Sequence, residues 1–230
     1  ITITKNNDET ETINIVSSDR YKYKNMDNGD AILNVFGGVI LEYIEYEFMD
    51  LKNKNILSRM NTLQKLKLFQ GYVNGLKTIY LTGRIHGDIK PDNIRFSIEG
   101  DNYIGKLIDI DTQDLDSNSI SIGSIGYQNN ILVKEITALV ESRNKETDQS
   151  KKNEYTTQIK AKAKNIDLYA LAFSFSGRTR NETSVSSEMN TIDVFEGIPE
   201  AKTLIDDCLN SRYDILNVGD KLIITTGIFL

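Results

Sequence analysis

The apolar residues Ile56, Met60, Leu63, Leu66, Val73, Leu76 and Tyr80 recur at steps of three, four and seven, the period of one helix face. The spacing predicts a long helix over residues 56–81, stopped by Gly83. That helix hands the chain directly to His86-Gly87-Asp88-Ile89-Lys90-Pro91-Asp92-Asn93, and sixteen residues after Asn93 comes Asp109, in the string Lys-Leu-Ile-Asp-Ile-Asp. In between, residues 94–98 and 103–108 flank the turn Glu99-Gly100-Asp101-Asn102, the pattern of a short antiparallel hairpin. A hairpin of that length returns the chain to its starting point, so it brings Asn93 back beside Asp109.

The rest of the chain reads less sharply. Residues 1–34 carry brief alternations, Ile1-Thr2-Ile3-Thr4 and Tyr21-Lys22-Tyr23-Lys24, that suggest short strands between polar turns. Residues 31–45 hold two apolar runs around Gly37-Gly38 and read as a hairpin with one buried strand. Residues 112–122, rich in Ser and Asp, read as a mobile surface loop. The stretch 141–165 is dense in Lys, Glu, Gln and Asn, too thin in apolar residues for a core helix, and is taken as a solvated helical excursion. The run 166–176 is apolar nearly all round and predicts a buried helix. Residues 201–209 and 215–230 are expected to complete a mostly helical lobe with a β-rich tail.

Composition excludes several classes. A length of 230 residues with 39% hydrophobic content suffices for a sizeable core, and the net charge of −6 with interspersed signs argues against a nucleic-acid surface. Cys208 is the only cysteine, so neither a disulfide framework nor a thiolate zinc site is available, and it reads as a small buried hydrophobe. No apolar run approaches the roughly 20 residues of a membrane span, and no secretory leader pattern opens the chain. A soluble, cytoplasmic protein is the expectation, in a host cytosol if the protein is a secreted effector. The chain opens at Ile1, not Met, which reads as a fragment, a processed product or only the ordered residues of a longer chain.

The residues around Asp88 suit phosphoryl transfer from a nucleotide, which asks a protein mainly for positioning and charge neutralisation. Asp88 would accept or orient the proton of an attacking hydroxyl. Lys90, two residues on along an extended loop, would contact the transferring phosphate. Asn93 offers a neutral oxygen to one magnesium ion, and Asp109 a carboxylate able to bridge two; manganese would serve as well. His86, the single histidine, lacks metal-binding partners and is expected to pack beneath the loop.

In these residues the chain resembles the eukaryotic-like Ser/Thr protein kinases, over residues 35–230 and most strongly over 79–130. His86 to Asn93 follows that family's His-Arg-Asp-x-x-x-x-Asn loop, with Lys90 at the Ser/Thr kinase position. Asp109-Ile110-Asp111 stands where the family has Asp-Phe-Gly, without the hinge-like glycine. Gly123-Ser124-Ile125-Gly126-Tyr127 is similar to its substrate-docking Gly-Thr-x-x-Tyr, and Asp167 matches the Asp that braces the catalytic loop. The resemblance implies an α+β, bilobal fold with a small, reduced β-rich N-lobe and a larger, mainly helical C-lobe. It implies one kinase-like domain over 1–230, with 1–41 an N-lobe remnant, 42–46 a hinge, and 47–230 a C-lobe with a charged insertion at 141–165. It further implies ATP and magnesium as cofactors and a protein substrate. Leu41 would be the gatekeeper, with the Glu42 and Ile44 backbones bonding adenine.

The departures are specific. Gly87 replaces the Arg that pairs with a phosphorylated activation loop, which implies an enzyme not switched in that way. No Gly-x-Gly-x-x-Gly precedes the hinge, and the phosphate-holding lysine has only Lys22 and Lys24 as candidates, both of which also read as strand-surface lysines. Two other classes stay open. His86-Gly87-Asp88 and the Asp109-x-Asp111 pair also suit a small-molecule kinase of the aminoglycoside or choline type, and the missing Gly-rich loop suits a pseudokinase, scaffold or repurposed transferase. The 141–165 segment is a candidate docking element for a regulatory partner.

Overall fold

The computed structural model describes residues 2–5, 11–14, 46–110, 112–123, 126–178 and 191–226. The chain falls into two compact units, Ile1–Tyr43 and Ile44–Leu230. Within the first, β1 (Thr2–Lys5) pairs antiparallel with β2 (Glu11–Asn14), Thr2 opposite Asn14, as the Ile-Thr alternation suggests. The expected strands around Tyr21–Lys24 and 31–45 lie outside the described residues, and so do Lys22, Lys24, Leu41, Glu42 and Ile44.

The second unit is mixed α+β. It opens with β3 (Tyr46–Glu47), which joins the edge of a three-stranded antiparallel sheet with β5 (Ile94–Glu99) and β6 (Asn102–Leu107), in the order β3-β5-β6. Of the expected 42–46 hinge only Tyr46 is described; it is a strand residue opposite Phe96, their rings stacked 5.1 Å apart. A 3-10 turn (Phe48–Lys52) leads to α1 (Lys54–Arg59) and α2 (Thr62–Leu81). The single helix expected over 56–81 is therefore broken at Met60. Asn61 explains the break: its side chain accepts the Gln64 N–H at 2.9 Å while the Gln64 side chain accepts the Asn61 N–H at 2.9 Å, a reciprocal cap that starts a new helix. Apolar spacing runs through such a cap unaltered, so periodicity cannot see it.

Helix α2 buries Leu66, Leu68, Phe69, Tyr72, Val73 and Leu76 and ends before Gly83, whose φ of +80° turns the chain out of the helix. It lies directly on β6. At Gly105 the approach is so close that a Cβ would sit 2.8 Å from the Tyr72 ring and 3.0 Å from the Leu68 carbonyl oxygen. The buried Tyr72 hydroxyl donates to the Arg95 carbonyl at 2.7 Å, tying helix to hairpin, and burial holds that phenol well above its usual 10.0.

β4 (Arg84–Ile85) precedes the 86–93 loop and β7 (Gln113–Asp114) follows the hairpin, and the two pair with each other, Arg84 opposite Asp114. Helices α3 (Asn130–Lys145), α4 (Gln149–Ala163), α5 (Ile166–Phe175), α6 (Pro199–Leu209) and α7 (Val218–Thr226) complete the unit. The buried helix expected at 166–176 is α5, and Phe175 at its end sits among Phe48, Phe69, Tyr72 and Phe195 at 5.0 to 5.9 Å between ring centres.

Three other expectations are corrected. The 141–165 stretch is helical and mostly unburied, as expected, but not a free excursion: it divides between α3 and α4, capped at Asp148, with Arg143, Ile159 and Ala163 buried, the last two in a second core with Ile85, Leu115, Ile136, Val140 and Ile166. Its charges cover the outer faces of two helices that pack on each other. The 112–122 segment is not a free loop, because β7 pairs with β4 and Leu115 is fully buried. The tail is helical over 218–226. Asp214 N–H donates to the Asn217 side chain at 2.8 Å to start the turn, and Val218 and Leu222, four apart, bury one helical face despite the β-branched run that follows. Among the described residues no helix is long and apolar enough to cross a membrane.

Gly105→Ala is expected to destabilise the unit by about 1–3 kcal/mol, since neither a buried ring nor a backbone carbonyl can yield freely. Thermal denaturation measures it, and an unchanged midpoint would contradict the packing of α2 on β6.

Candidate functional site

The loop between β4 and β5 is built on a buried carboxylate. Asp167, in the first turn of α5, accepts the His86 N–H at 2.8 Å with Oδ2 and the Gly87 N–H at 2.9 Å with Oδ1. Both donors are buried and have left the β4 ladder, so each needs an acceptor that the loop itself does not offer. Gly87 can follow the turn because its φ is +78°, a conformation costly for a side chain, and the space a Cβ would enter is taken by Gln113 and the Ser121 carbonyl.

His86 is 2% exposed and links two segments. Its Nε2 lies 3.0 Å from the Ile108 carbonyl, which can only accept, so Nε2 carries the proton and donates. Nδ1 is then the acceptor that faces the Asp88 N–H at 3.4 Å. His86 is thus buried beside the loop and fixes Ile108, just beyond β6 and one residue before Asp109.

Asp88, Lys90 and Asn93 converge. The Lys90 ammonium lies 2.7 Å from Asp88 Oδ2. Asn93, 5% exposed at the end of a 3-10 turn (Pro91–Asn93), donates its amide hydrogens to the Asp88 carbonyl at 2.8 Å and to Asp88 Oδ2 at 3.1 Å. Both of those partners are acceptors, which assigns the amide nitrogen to that side and leaves Oδ1 as the Asn93 atom able to meet a cation. The β5-β6 hairpin does what its length requires: the Ile108 N–H donates to the Asn93 carbonyl at 3.0 Å, so Asp109 follows one residue from Asn93. Asp109 has φ +56°, a left-handed conformation uncommon outside glycine, and it lines one cavity of about 320 Å³ together with His86, Gly87, Asp88, Gln113 and Ser121.

The far wall of this cavity was not legible as such. A Cβ on Gly123 would fall 2.2 Å from the Gly87 carbonyl oxygen and 2.9 Å from Asp88 Cα, so only glycine lets residue 123 close onto the loop. Gln113, whose side chain accepts the Ser121 N–H at 3.3 Å, holds the two ends of its segment together. Nothing in a polar run signals those two positions. Tyr127 packs edge-on against Phe173 of α5 at 6.1 Å, while Ser124 and Asp111 lie outside the described residues.

The donor set fits magnesium better than zinc. Asn93 Oδ1 and the Asp109 carboxylate are hard oxygen donors, the type magnesium takes and zinc does not require, and among the described residues no group of three or more His, Cys, Asp or Glu side chains could hold a metal by itself. No family model matches the sequence, and no curated protein matches it. The functional reading therefore stands on the geometry of these side chains.

Burial pushes the Asp167 carboxyl above its usual 3.8, while the Gly87 N–H, the electrostatic pull of the His86 ring and the His86 N–H draw it back and Asp88 adds a smaller upward push. Asp167→Asn places an NH₂ against a backbone donor and is expected to lower stability by about 1–3 kcal/mol. Because the folded-state value is raised, this titration stabilises the native state fully below pH 3.8 and ceases to do so as pH rises through the folded value. The wild-type margin over Asp167→Asn should therefore narrow from acid to neutral pH in chemical denaturation, and a margin that widens would refute the assignment.

Proposed function

We propose that the chain is a phosphotransferase acting on ATP with magnesium. Within that class, the reading favoured is an atypical Ser/Thr protein kinase with a bilobal, kinase-like fold. The observation that carries it is the convergence of Asp88, Lys90 and Asn93 in direct contact, with Asp109 lining the same cavity, on a loop braced from below by Asp167.

In this reading the acceptor hydroxyl gives its proton to the Asp88 carboxylate as its oxygen bonds to the γ-phosphorus, and the bond from that phosphorus to the bridging oxygen of ADP breaks. Lys90, already 2.7 Å from Asp88, offsets negative charge on the transferring group. Asn93 Oδ1 and the Asp109 carboxylate would hold magnesium, which supplies neutralisation of the phosphates. Gly123 closes on the Gly87 carbonyl and Tyr127 rests edge-on against Phe173 of α5, which supports a substrate-docking role for those two residues.

One observation favours a small-molecule acceptor instead. Gly87 admits no side chain, and Gln113 with the Ser121 carbonyl fills the adjoining space, so the loop lacks the cationic arm through which a phosphorylated segment would organise a peptide site. Labelled ATP with generic protein substrates on one arm and aminoglycosides or choline on the other separates the two. Phosphate on protein Ser or Thr supports the kinase reading, phosphate on the small molecule supports its rival, and absence of any ATP-dependent thermal shift would sink both.

Asp88→Asn should retain magnesium-ATP binding and lose turnover by about 10²–10⁴-fold, the range for removing a general base. Asp109→Ala should lose magnesium-ATP binding itself, measured by calorimetry. Retained turnover in the Asp88 variant would contradict its role.

A further inference from the structure

Apart from the catalytic loop and its brace, one charged side chain among the described residues is buried: Arg143 on α3, 6% exposed. Its Nη1 donates to the Leu115 carbonyl at 2.9 Å and to Thr156 Oγ1 at 3.2 Å, and Nη2 donates to the Ser117 carbonyl. All three partners are neutral, and among the described residues no carboxylate pairs with this guanidinium. The fork carries five N–H donors, so two are left over. A cation held out of water without a counter-charge is costly unless something else neutralises it.

Arg143 opens onto a cavity of about 470 Å³ between the 113–121 segment and helices α3 and α4, shared with Asp116, Asn144, Lys152, Asn153 and Thr156. Lys152 adds a second cation, and two amides and a hydroxyl add neutral donors. The carboxylates nearby are already engaged. Asp116 is held by Lys160 at 2.9 Å, Glu146 accepts the N–H groups of Thr147 and Asp148, and Asp148 caps α4 through the N–H groups of Ser150 and Lys151.

We propose that this cavity binds a phosphate-type oxyanion, whose oxygens take the remaining Arg143 donors and the Lys152 ammonium. A planar fork beside a point charge suits a tetrahedral dianion, and a desolvated guanidinium gives such bonds their strength. The site has a further consequence through the chain itself. Asp116 and Asn118 line this cavity while Gln113 and Ser121 line the one at Asp88, and the two carbonyls that Arg143 grips lie between them. An anion here bears on the segment that walls the catalytic loop. The inference is independent of the kinase reading.

The test titrates the full chain with inorganic phosphate, and separately with O-phosphoserine, at constant ionic strength, following calorimetry and the NMR signals of the Arg143 side chain, Gln113 and Ser121. Saturable binding is expected, with shifts at all three residues; tighter binding of O-phosphoserine would identify a phosphate ester as the source, tighter binding of phosphate the free ion. Lys152→Glu, a partly exposed position, should weaken binding about tenfold or more while leaving the melting temperature in phosphate-free buffer unchanged. Lys90→Ala should leave phosphate affinity within about twofold, since that lysine pairs with Asp88 and does not line this cavity. No saturable binding, binding indifferent to Lys152→Glu, or binding lost in Lys90→Ala would each overturn the proposal.

Discussion

The two N–H bonds that Asp167 accepts from His86 and Gly87 fix the relation between the most buried helix and the loop that carries Asp88, Lys90 and Asn93, and the remaining order at the site follows from them. Helix α5 is itself immobilised by the aromatic cluster around Phe175, so a carboxylate in its first turn is a rigid anchor. From that anchor the order passes on by contact. His86 donates to Ile108, Ile108 donates to Asn93, and Asn93 donates to Asp88, so strand β6 and both ends of the loop are set by one chain of hydrogen bonds. The two bonds at Asp167 are buried and the side-chain links beyond them partly so, which is why breaking one costs more than an exposed bond would.

What could be read in the amino-acid sequence divides along a physical line. Helix α2, the hairpin of β5 and β6, and helix α5 follow from local periodicity and turn chemistry: Leu66, Val73 and Leu76 on one face, Gly100-Asp101 between two short strands, an unbroken apolar run from Ile166. The break at Met60, the packing of α3 on α4 and the helical tail depend on single caps and on what covers a face. Asn61, Asp148 and Asp214 are ordinary polar residues until their side chains are seen to accept or order backbone N–H groups. The charged surface of α3 and α4 hides five buried positions because charge reads along the chain and burial goes around the helix.

The site shows the same division. Asp88, Lys90 and Asn93 were legible because they lie within six residues on one loop, and Asp109 because a hairpin of known length separates it from Asn93. Gln113, Ser121 and the close approach of Gly123 were not, since they meet the loop only through the pairing of β7 with β4. Arg143 was counted among solvated charges; only the fold reveals that it reaches under the 113–121 segment and holds two of its carbonyls. Long-range contact, not residue type, decides these roles.

Stability alone does not account for the arrangement around Asp88. A partly exposed ion pair such as Lys90 with Asp88 contributes about 0–1 kcal/mol, and burying the Asn93 amide gains little beyond repaying its own desolvation. Against that stand two left-handed residues in one cavity wall, Asp109 at φ +56° and Gly87 at +78°, of which the non-glycine costs on the order of 1–3 kcal/mol. A chain selected only to fold would place glycine or asparagine at position 109 and an apolar side chain at 93. Retaining a carboxylate in a strained conformation, in the wall of a cavity that Asp88 also lines, is what the phosphotransferase reading proposed above would require. The strain is local because Asp167, Ile108 and Asn93 over-determine the backbone on either side of it.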